Sequence, residues 1–196
     1  MNRGNESDGP QRKWDDRYRA ASDQRPASQV LIENLHLLPA RGRALDLACG
    51  LGANALLLAR QGLEVSAWDL SPVAVERLRG IAAAERLGVA AVVRDVEQWP
   101  PEPRSFDVIV VAHFLDRNLA PAISAALRSG GLLYYQTFSR ESVSGSGPSS
   151  PRFRLERGEL LGLFADLIPR VYREEGTLGD TVQGLRDEAM IIAQRT

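Results

Sequence analysis

Residues 43–62 read RALDLACGLGANALLLARQG, and this stretch decides how the rest of the chain is understood. Ala44 to Ala48 is a short apolar run broken only by Asp46, the pattern of a buried strand. Gly50-Leu51-Gly52 follows, where missing Cβ atoms permit a tight turn and a close approach of backbone to a ligand. Ala53 to Arg60 then offers an apolar helical face that Gly62 ends. Strand, glycine turn and helix in this order make the front of a nucleotide-type pocket, with the amides at the helix start aimed at the ligand.

Two ligand classes use that geometry. Gly50-Leu51-Gly52-Ala53-Asn54-Ala55 satisfies the loose dinucleotide fingerprint, and Asp69 stands 19 residues beyond Gly50, near the usual place of a ribose-binding acid. Asp46 separates the two classes, because a carboxylate beside a pyrophosphate is repelled whereas one beside a cation is welcome. S-adenosylmethionine carries an ammonium and a sulfonium and no phosphate, so Asp46 favours it over a nicotinamide dinucleotide.

Outward from this stretch the chain alternates strands and helices. Leu63 to Trp68 reads as a second strand with Asp69 at its carboxyl end, where open α/β sheets bind ligands. Ser71 and Pro72 read as N-cap and first residue of a helix running from Val73 to about Leu87 and ended by Gly88. Val89 to Val93 is a third strand, followed by Asp95 and Val96, an acid and an apolar residue suited either to an adenine or to a loop of their own. Phe106 to Ala112 is nearly all apolar, a strand covered on both faces. His113 arrives as that strand ends and can serve as a proton acceptor or as a satisfied loop residue; Arg117, on the same loop, can hold an anion or a carbonyl. A helix from about Leu119 to Arg128, a fifth strand Leu132 to Phe138, and a helix Glu159 to Leu167 continue the alternation. Val171 to Gly176 and Glu188 to Gln194 are strand-like, with no helix between them long enough for a parallel crossover, so the last strand is expected to be antiparallel.

Before the glycine stretch, Trp14, Arg17 and Tyr18 share one face of a short helix, which either pins itself to the body or covers the pocket. Gln29 to Leu38 reads as a further helix closed by Pro39. Residues 1–12 and the Ser/Gly/Pro-rich loop Ser139 to Pro151 look loose, and the loop lies at the ligand edge, where it can act as a flap.

A chain of 196 residues suits one domain, here residues 13–196. The net charge of −1 gives no general pull toward nucleic acid, so a small-molecule substrate is expected and nucleic acid is not. A single cysteine, Cys49, excludes an internal disulfide and a cysteine metal cluster, and no metal site is expected. With neither a signal-peptide core nor a membrane span, the expected location is cytoplasmic, as a monomer or homodimer.

With the pieces placed, the chain resembles the class I S-adenosylmethionine-dependent methyltransferases. LDLACGLGANAL resembles their first motif, WDLS the second, RDVEQWP the third and FDVIVVAHFL the fourth, with LRSGGLLYYQTF the segment after it. WDDRY and the compact size resemble the small-molecule group that includes tellurite-resistance and thiopurine-type enzymes. The resemblance implies an α/β, Rossmann-like doubly wound sheet of seven strands, mostly parallel, with an antiparallel last strand inserted between the fifth and sixth and helices on both faces. It implies S-adenosylmethionine as cofactor, with Asp46 and the Gly50 to Gly52 turn at its methionine part, Asp69 at the ribose, and Asp95 with Val96 at the adenine. The candidate cofactor-binding residues are then Asp46, Ala48, Gly50, Gly52, Asn54, Asp69, Leu70, Asp95, Val96, Ala112 and Trp14, and the candidate catalytic residues are His113 and Arg117.

Two departures matter. Ala53 stands where related small-molecule enzymes often have a basic residue, and AHFL stands where amino-group methyltransferases have an N-P-P-Y type tetrapeptide, which argues against methylation of nucleic-acid amines. The expected reaction is SN2 transfer of the sulfonium methyl to a thiol, a chalcogen oxyanion or a similar small acceptor. Rival readings are an RNA or protein methyltransferase, a non-catalytic S-adenosylmethionine-binding module, and a nicotinamide-dependent reductase.

Overall fold

The computed structural model describes residues 8–21 and 26–196. Seven strands form one sheet: β1 (Arg43–Leu47), β2 (Glu64–Asp69), β3 (Val89–Val93), β4 (Phe106–Ala112), β5 (Leu127–Phe138), β6 (Ile168–Glu174) and β7 (Glu188–Gln194), in the order β3-β2-β1-β4-β5-β7-β6. The pairs from β3 through β5 are parallel, and β7 runs antiparallel to both β5 and β6, as expected for a last strand inserted between them.

The two-residue period of the strands divides the core. Leu45, Leu47, Ile109, Val111, Leu133, Tyr135 and Ile191 face one side, against Ile123 of α5 (Ala120–Ala126) and Leu160 of α6 (Glu159–Leu163). Ala44, Val108, Val110, Tyr134 and Ile192 face the other. There they meet Val30 and Leu31 of α2 (Gln29–Ile32), Leu56 and Leu58 of α3 (Ala53–Arg60), and Val75 and Leu78 of α4 (Pro72–Ala84). A fully buried Leu, Ile or Val contributes about 1.5–3 kcal/mol, so these two layers dominate the stability of the sheet.

Helix boundaries depart from the sequence reading at identifiable points. Helix α1 (Asp8–Ala20) begins inside the stretch read as a loose N-terminus, while residues 1–7 of that stretch lie outside the described residues. The helix expected over Gln29 to Leu38 stops at Ile32, where the Asn34 side-chain Nδ2 turns back to donate to the Val30 carbonyl at 2.9 Å and the Asn34 backbone N–H donates to the Leu31 carbonyl; a short 3₁₀ turn at Leu35–Leu37 follows. Helix α4 ends with Arg86, not Gly88, in the left-handed conformation, φ 58°, and Leu87 N–H donates to the Ala82 carbonyl. Helix α5 stops at Ala126 because Leu127 already pairs with Phe106. Helix α6 stops at Leu163, where Phe164 leaves helical backbone and its ring packs on Tyr135 at 5.3 Å.

Candidate active site

The turn after β1 alternates left-handed residues, Ala48 at φ 55°, Gly50 at 53° and Gly52 at 77°, which bends the backbone back on itself before α3 begins. A Cβ at Gly52 would lie 2.3 Å from a Leu78 methyl, and one at Gly50 would lie 2.9 Å from the Tyr18 hydroxyl. The close approach at both glycines is therefore made by the protein's own side chains.

Asp46 lies beneath this turn, 1% exposed. One of its oxygens, Oδ2, accepts the Ala55 amide of α3 at 2.9 Å; the other, Oδ1, is buried with no hydrogen-bond partner. Burial pushes the carboxyl up to about 8, against the Ala55 amide and the neighbouring Asn54 side chain that hold it down, with Asp69 adding a smaller rise. A buried carboxyl oxygen without a partner is costly to leave bare, and a cationic donor is a partner that both completes its bonding and favours the ionised form.

Asp69 ends β2, also buried, and closes the turn: Oδ2 accepts Gly50 N–H at 2.7 Å and Oδ1 accepts Ser71 N–H at 2.9 Å. Burial raises its pKa, opposed by the Ser71 and Gly50 amides and more weakly by that of Leu70, with the Asp15 charge adding to the rise. Each oxygen keeps a second lone pair for a hydroxyl donor. Ser71 caps α4 as expected, accepting from Ala74 N–H at 3.2 Å, and its own hydroxyl donates to Asp15 of α1. Arg77 of α4 donates to the carbonyls of Tyr18 at 2.6 Å and Ala21 at 2.8 Å. These bonds fix α1 across the glycine turn, so the helix is pinned and covers the turn at once. Trp14 stacks on Tyr18 at 5.9 Å and has Arg17 over its ring. Tyr18 is held protonated by burial and by Asp69, its pKa far above the ordinary phenol value.

Several expected ligand residues are committed elsewhere. Asn54 Oδ1 accepts both the amide and the hydroxyl of Ser28, at 2.8 and 3.0 Å, tying α3 to the chain before α2. Asp95 folds onto its own turn, accepting from Glu97 N–H at 3.0 Å and the Gln98 side chain at 2.7 Å, and Val96 is buried in the core with Trp68. Arg117, expected to hold an anion, spends its guanidinium on Glu159, at 2.5 and 2.9 Å, and on the carbonyls of Arg152 and Arg154. It secures the chain between β5 and α6. Leu70 follows Asp69 at the end of β2, and Ala112 ends β4 beside Gln136.

His113 sits at φ 57°, a strained position for a non-glycine residue, and packs on Phe138 at 5.0 Å. Its Nε2 lies 3.0 Å from Glu188 Oε1, and Gln136 donates to Glu188 Oε2 at 2.6 Å. Gln136 and Glu188 were not singled out from sequence; a glutamine inside the apolar LLYYQTF run was the available signal, while Glu188 needed the register that sets it opposite Phe138. The loop read as a flap is packed: Asp187 accepts from Ser142 Oγ at 2.7 Å, from Ser144 N–H at 3.0 Å and from Val143 N–H. Burial, which would raise the Asp187 pKa, is overcome by the Ser144 and Ser142 donors, and the group lies well below the usual carboxylate range. A cavity of about 360 Å³ opens between Val143 and Ser144 of this loop, Gln29, Gln136, Thr181, Val182 and residues 184–188. Among the described residues no cluster suits a metal ion, and no helix is long and apolar enough to cross a membrane.

A family profile described as a methyltransferase domain matches residues 44–131. Over 129 residues the chain is 37% identical to the ribosomal protein L11 methyltransferase of Dechloromonas aromatica, a match covering 64% of this chain and 37% of that protein. It is 31% identical over 140 residues to the ubiquinone biosynthesis O-methyltransferase of Xanthomonas campestris pv. campestris (strain B100), covering 66% of this chain and 57% of that one. The chain thus spans 37% and 57% of the lengths of these relatives. Among solved structures, TehB from Haemophilus influenzae shares the fold with a TM-score of 0.72 at 20% identity, over 93% of this chain and 67% of that chain.

Proposed function

We propose that the chain is a class I S-adenosylmethionine-dependent methyltransferase that transfers the sulfonium methyl of that cofactor to a small-molecule acceptor, a reading supported by the methyltransferase-domain match over residues 44–131 and by the fold shared with TehB. The observation that carries the cofactor reading is the bare, buried Oδ1 of Asp46 under the glycine turn. Two buried carboxyls there gain by ionising against a cation, whereas ionising them beside a pyrophosphate is penalised twice, by burial and by repulsion, which weighs against a nicotinamide dinucleotide.

Bound at this turn, S-adenosylmethionine supplies a methyl group already activated by the sulfonium charge. The protein's part is to hold and orient. Asp46 receives the cationic amino-acid end, and Asp69 accepts ribose hydroxyls on its remaining lone pairs. Helix α1, with Tyr18 over Gly50, keeps water from the turn. Positioning of this kind accounts for effective molarities of about 10⁵ M or more. A protein acceptor is the second reading, favoured by the relative named for ribosomal protein L11.

Calorimetric titration with S-adenosylmethionine, followed by an S-adenosylhomocysteine product assay against small acceptors and against ribosomal protein L11, tests both. Absence of S-adenosylmethionine binding refutes the cofactor reading; binding with turnover on L11 alone refutes the small-molecule acceptor.

A further inference from the structure

We propose that the outer edge of β3 is a pairing surface for a second copy of the chain, antiparallel and centred on Ala91, and that Arg79 of α4 holds this surface shut by occupying the Ala91 carbonyl. The proposal stands on the sheet and does not depend on the methyltransferase reading.

Strand β3 ends the sheet and bonds β2 alone. Arg94 N–H donates to the Asp69 carbonyl of β2 at 2.8 Å. Successive residues of a strand turn their backbone groups to opposite sides, so Ala90 and Val92 face β2 as Arg94 does. The N–H and C=O groups of Val89, Ala91 and Val93 therefore point off the sheet. Such a row is a template for another strand.

The side chains favour association. Leu87 to Val93 reads LGVAAVV, without a charge, and Val92 and Val93 are 42% and 45% exposed. The reason lies in the connection to β4. Residues 94–105 form no helix, while α3 and α4 pack on the opposite face together with Ala91. On the bare face Val92 lies in register beside Trp68, whose ring is covered by the Arg94 guanidinium at 4.0 Å. Trp99, whose carbonyl accepts from Arg94 Nε at 2.7 Å, is 66% exposed.

One side chain closes the edge. Arg79 Nε and Nη2 both donate to the Ala91 carbonyl, at 3.1 and 2.7 Å, and Nη1 lies 3.6 Å from Glu76, one turn earlier on α4. The guanidinium comes from outside the strand, so its release costs β3 none of its bonds to β2.

The outward residues select the occupant. Directly opposed residues of an antiparallel pair exchange both bonds at every second position. Outward groups at 89, 91 and 93 thus fit a two-fold pair with Ala91 opposite Ala91 and Val89 opposite Val93, in which every outward residue is used and no like charges meet. The other sheet edge, β6, carries Pro169, Arg170 and Arg173 and offers no such match. In the β3 pair the central acceptor is the oxygen that Arg79 holds. Two copies would each have to give up a charge-assisted bond for an amide bond, with both guanidinium groups brought to the same point, and that exchange is unfavourable. Arg79 therefore keeps the pair from forming.

Arg79→Met keeps the length and apolar stem of the side chain and removes the donors. In sedimentation velocity from about 1 µM to 1 mM, wild type should keep one mass while Arg79→Met moves reversibly toward twice that mass. Adding Val93→Pro should return the mass to the wild-type value, because proline removes an outward N–H and no bond to β2. Far-UV circular dichroism identical to wild type reports that each variant is folded. Amide hydrogen exchange reads the edge directly: in wild type Ala91 and Val93 should exchange about 10-fold or more faster than Val92 and Arg94, and in concentrated Arg79→Met Ala91 should slow by a similar factor. The wild-type exchange pattern is a test whether or not the variant folds. A folded Arg79→Met protein that keeps the wild-type mass at every concentration overturns the proposal. So does assembly beyond twice that mass, a variant dimer that Val93→Pro leaves intact, or a wild-type chain in which the Ala91 and Val93 amides are already as protected as those of Val92 and Arg94.

Discussion

Replacing Asp46 with Asn should stabilise the ligand-free protein at neutral pH while weakening its cofactor. In the unfolded chain this carboxyl titrates near 3.8, and in the fold at about 8, because burial penalises its charge. The folded state therefore holds the proton more tightly. Stability from this group is fully present below the unfolded value and declines as pH rises toward the folded one. The decline is about 1.4 kcal/mol per pH unit, so that about 4 kcal/mol is lost between pH 4 and pH 7, with a plateau above pH 8. Asn keeps the shape and can still accept the Ala55 amide, without the titration. Urea unfolding of both proteins across this pH range should give a stability difference near zero at pH 4 that grows in favour of Asp46→Asn and levels off above pH 8. On the binding mode proposed above, in which the cofactor's cation pairs with Oδ1, saturating S-adenosylmethionine should reduce the slope in wild type, and its affinity should rise with pH in wild type only. A stability difference that is flat from pH 4 to pH 8 would show that the carboxyl is ionised and solvated, and the assignment of Oδ1 as a cation receptor would fall with it.

Three further outcomes follow from the packing. Gly50→Ala should cost about 1–3 kcal/mol, since it adds a Cβ 2.9 Å from the Tyr18 hydroxyl at φ 53°; Tyr18→Phe removes the nearest atom and should recover part of the loss in a double-mutant unfolding cycle. Asp187→Asn should loosen the Ser142 to Ser144 segment and speed tryptic cleavage at Arg140. Because the Asp187 pKa is depressed, the same loosening should appear in wild type as pH falls below the ordinary carboxylate range; equal cleavage rates at all pH values would contradict it. Arg117→Ala and Glu159→Ala should each lower the melting temperature, with the double variant no worse than the worse single one, whereas an additive double variant would break the pairing argument.

The sheet was legible because its strands are apolar runs with clear ends: FDVIVVA and EAMIIAQ give β4 and β7 to the residue, and the short polar connection before β7 gives its direction. The glycine turn and Asp46 were legible for the same local reason. What was not legible depends on distant partners. Arg117 reads as a free cation until the fold brings it to Glu159, 42 residues on. Asn54 reads as a ligand of the turn until Ser28, 26 residues before it, claims its oxygen. Gly50 reads as room for a ligand until Tyr18 is found against it. Glu188 becomes the partner of His113 only through an antiparallel register that no run of residues displays. Local chemistry thus located the glycine turn and its two buried carboxyls, and tertiary contacts decided which of the polar groups named with them are bonded elsewhere in the fold.

Asp187 and Glu188 are consecutive, yet the first anchors the 142–144 loop and the second holds the imidazole of His113. A single peptide unit thus separates the two anchors, and Asp187 holds a left-handed backbone, φ 63°, to direct its carboxylate at the loop while Glu188 enters β7 beside His113. A substitution that relaxes the backbone at Asp187 should therefore disturb two side-chain clusters at once, although they belong to different segments of the chain.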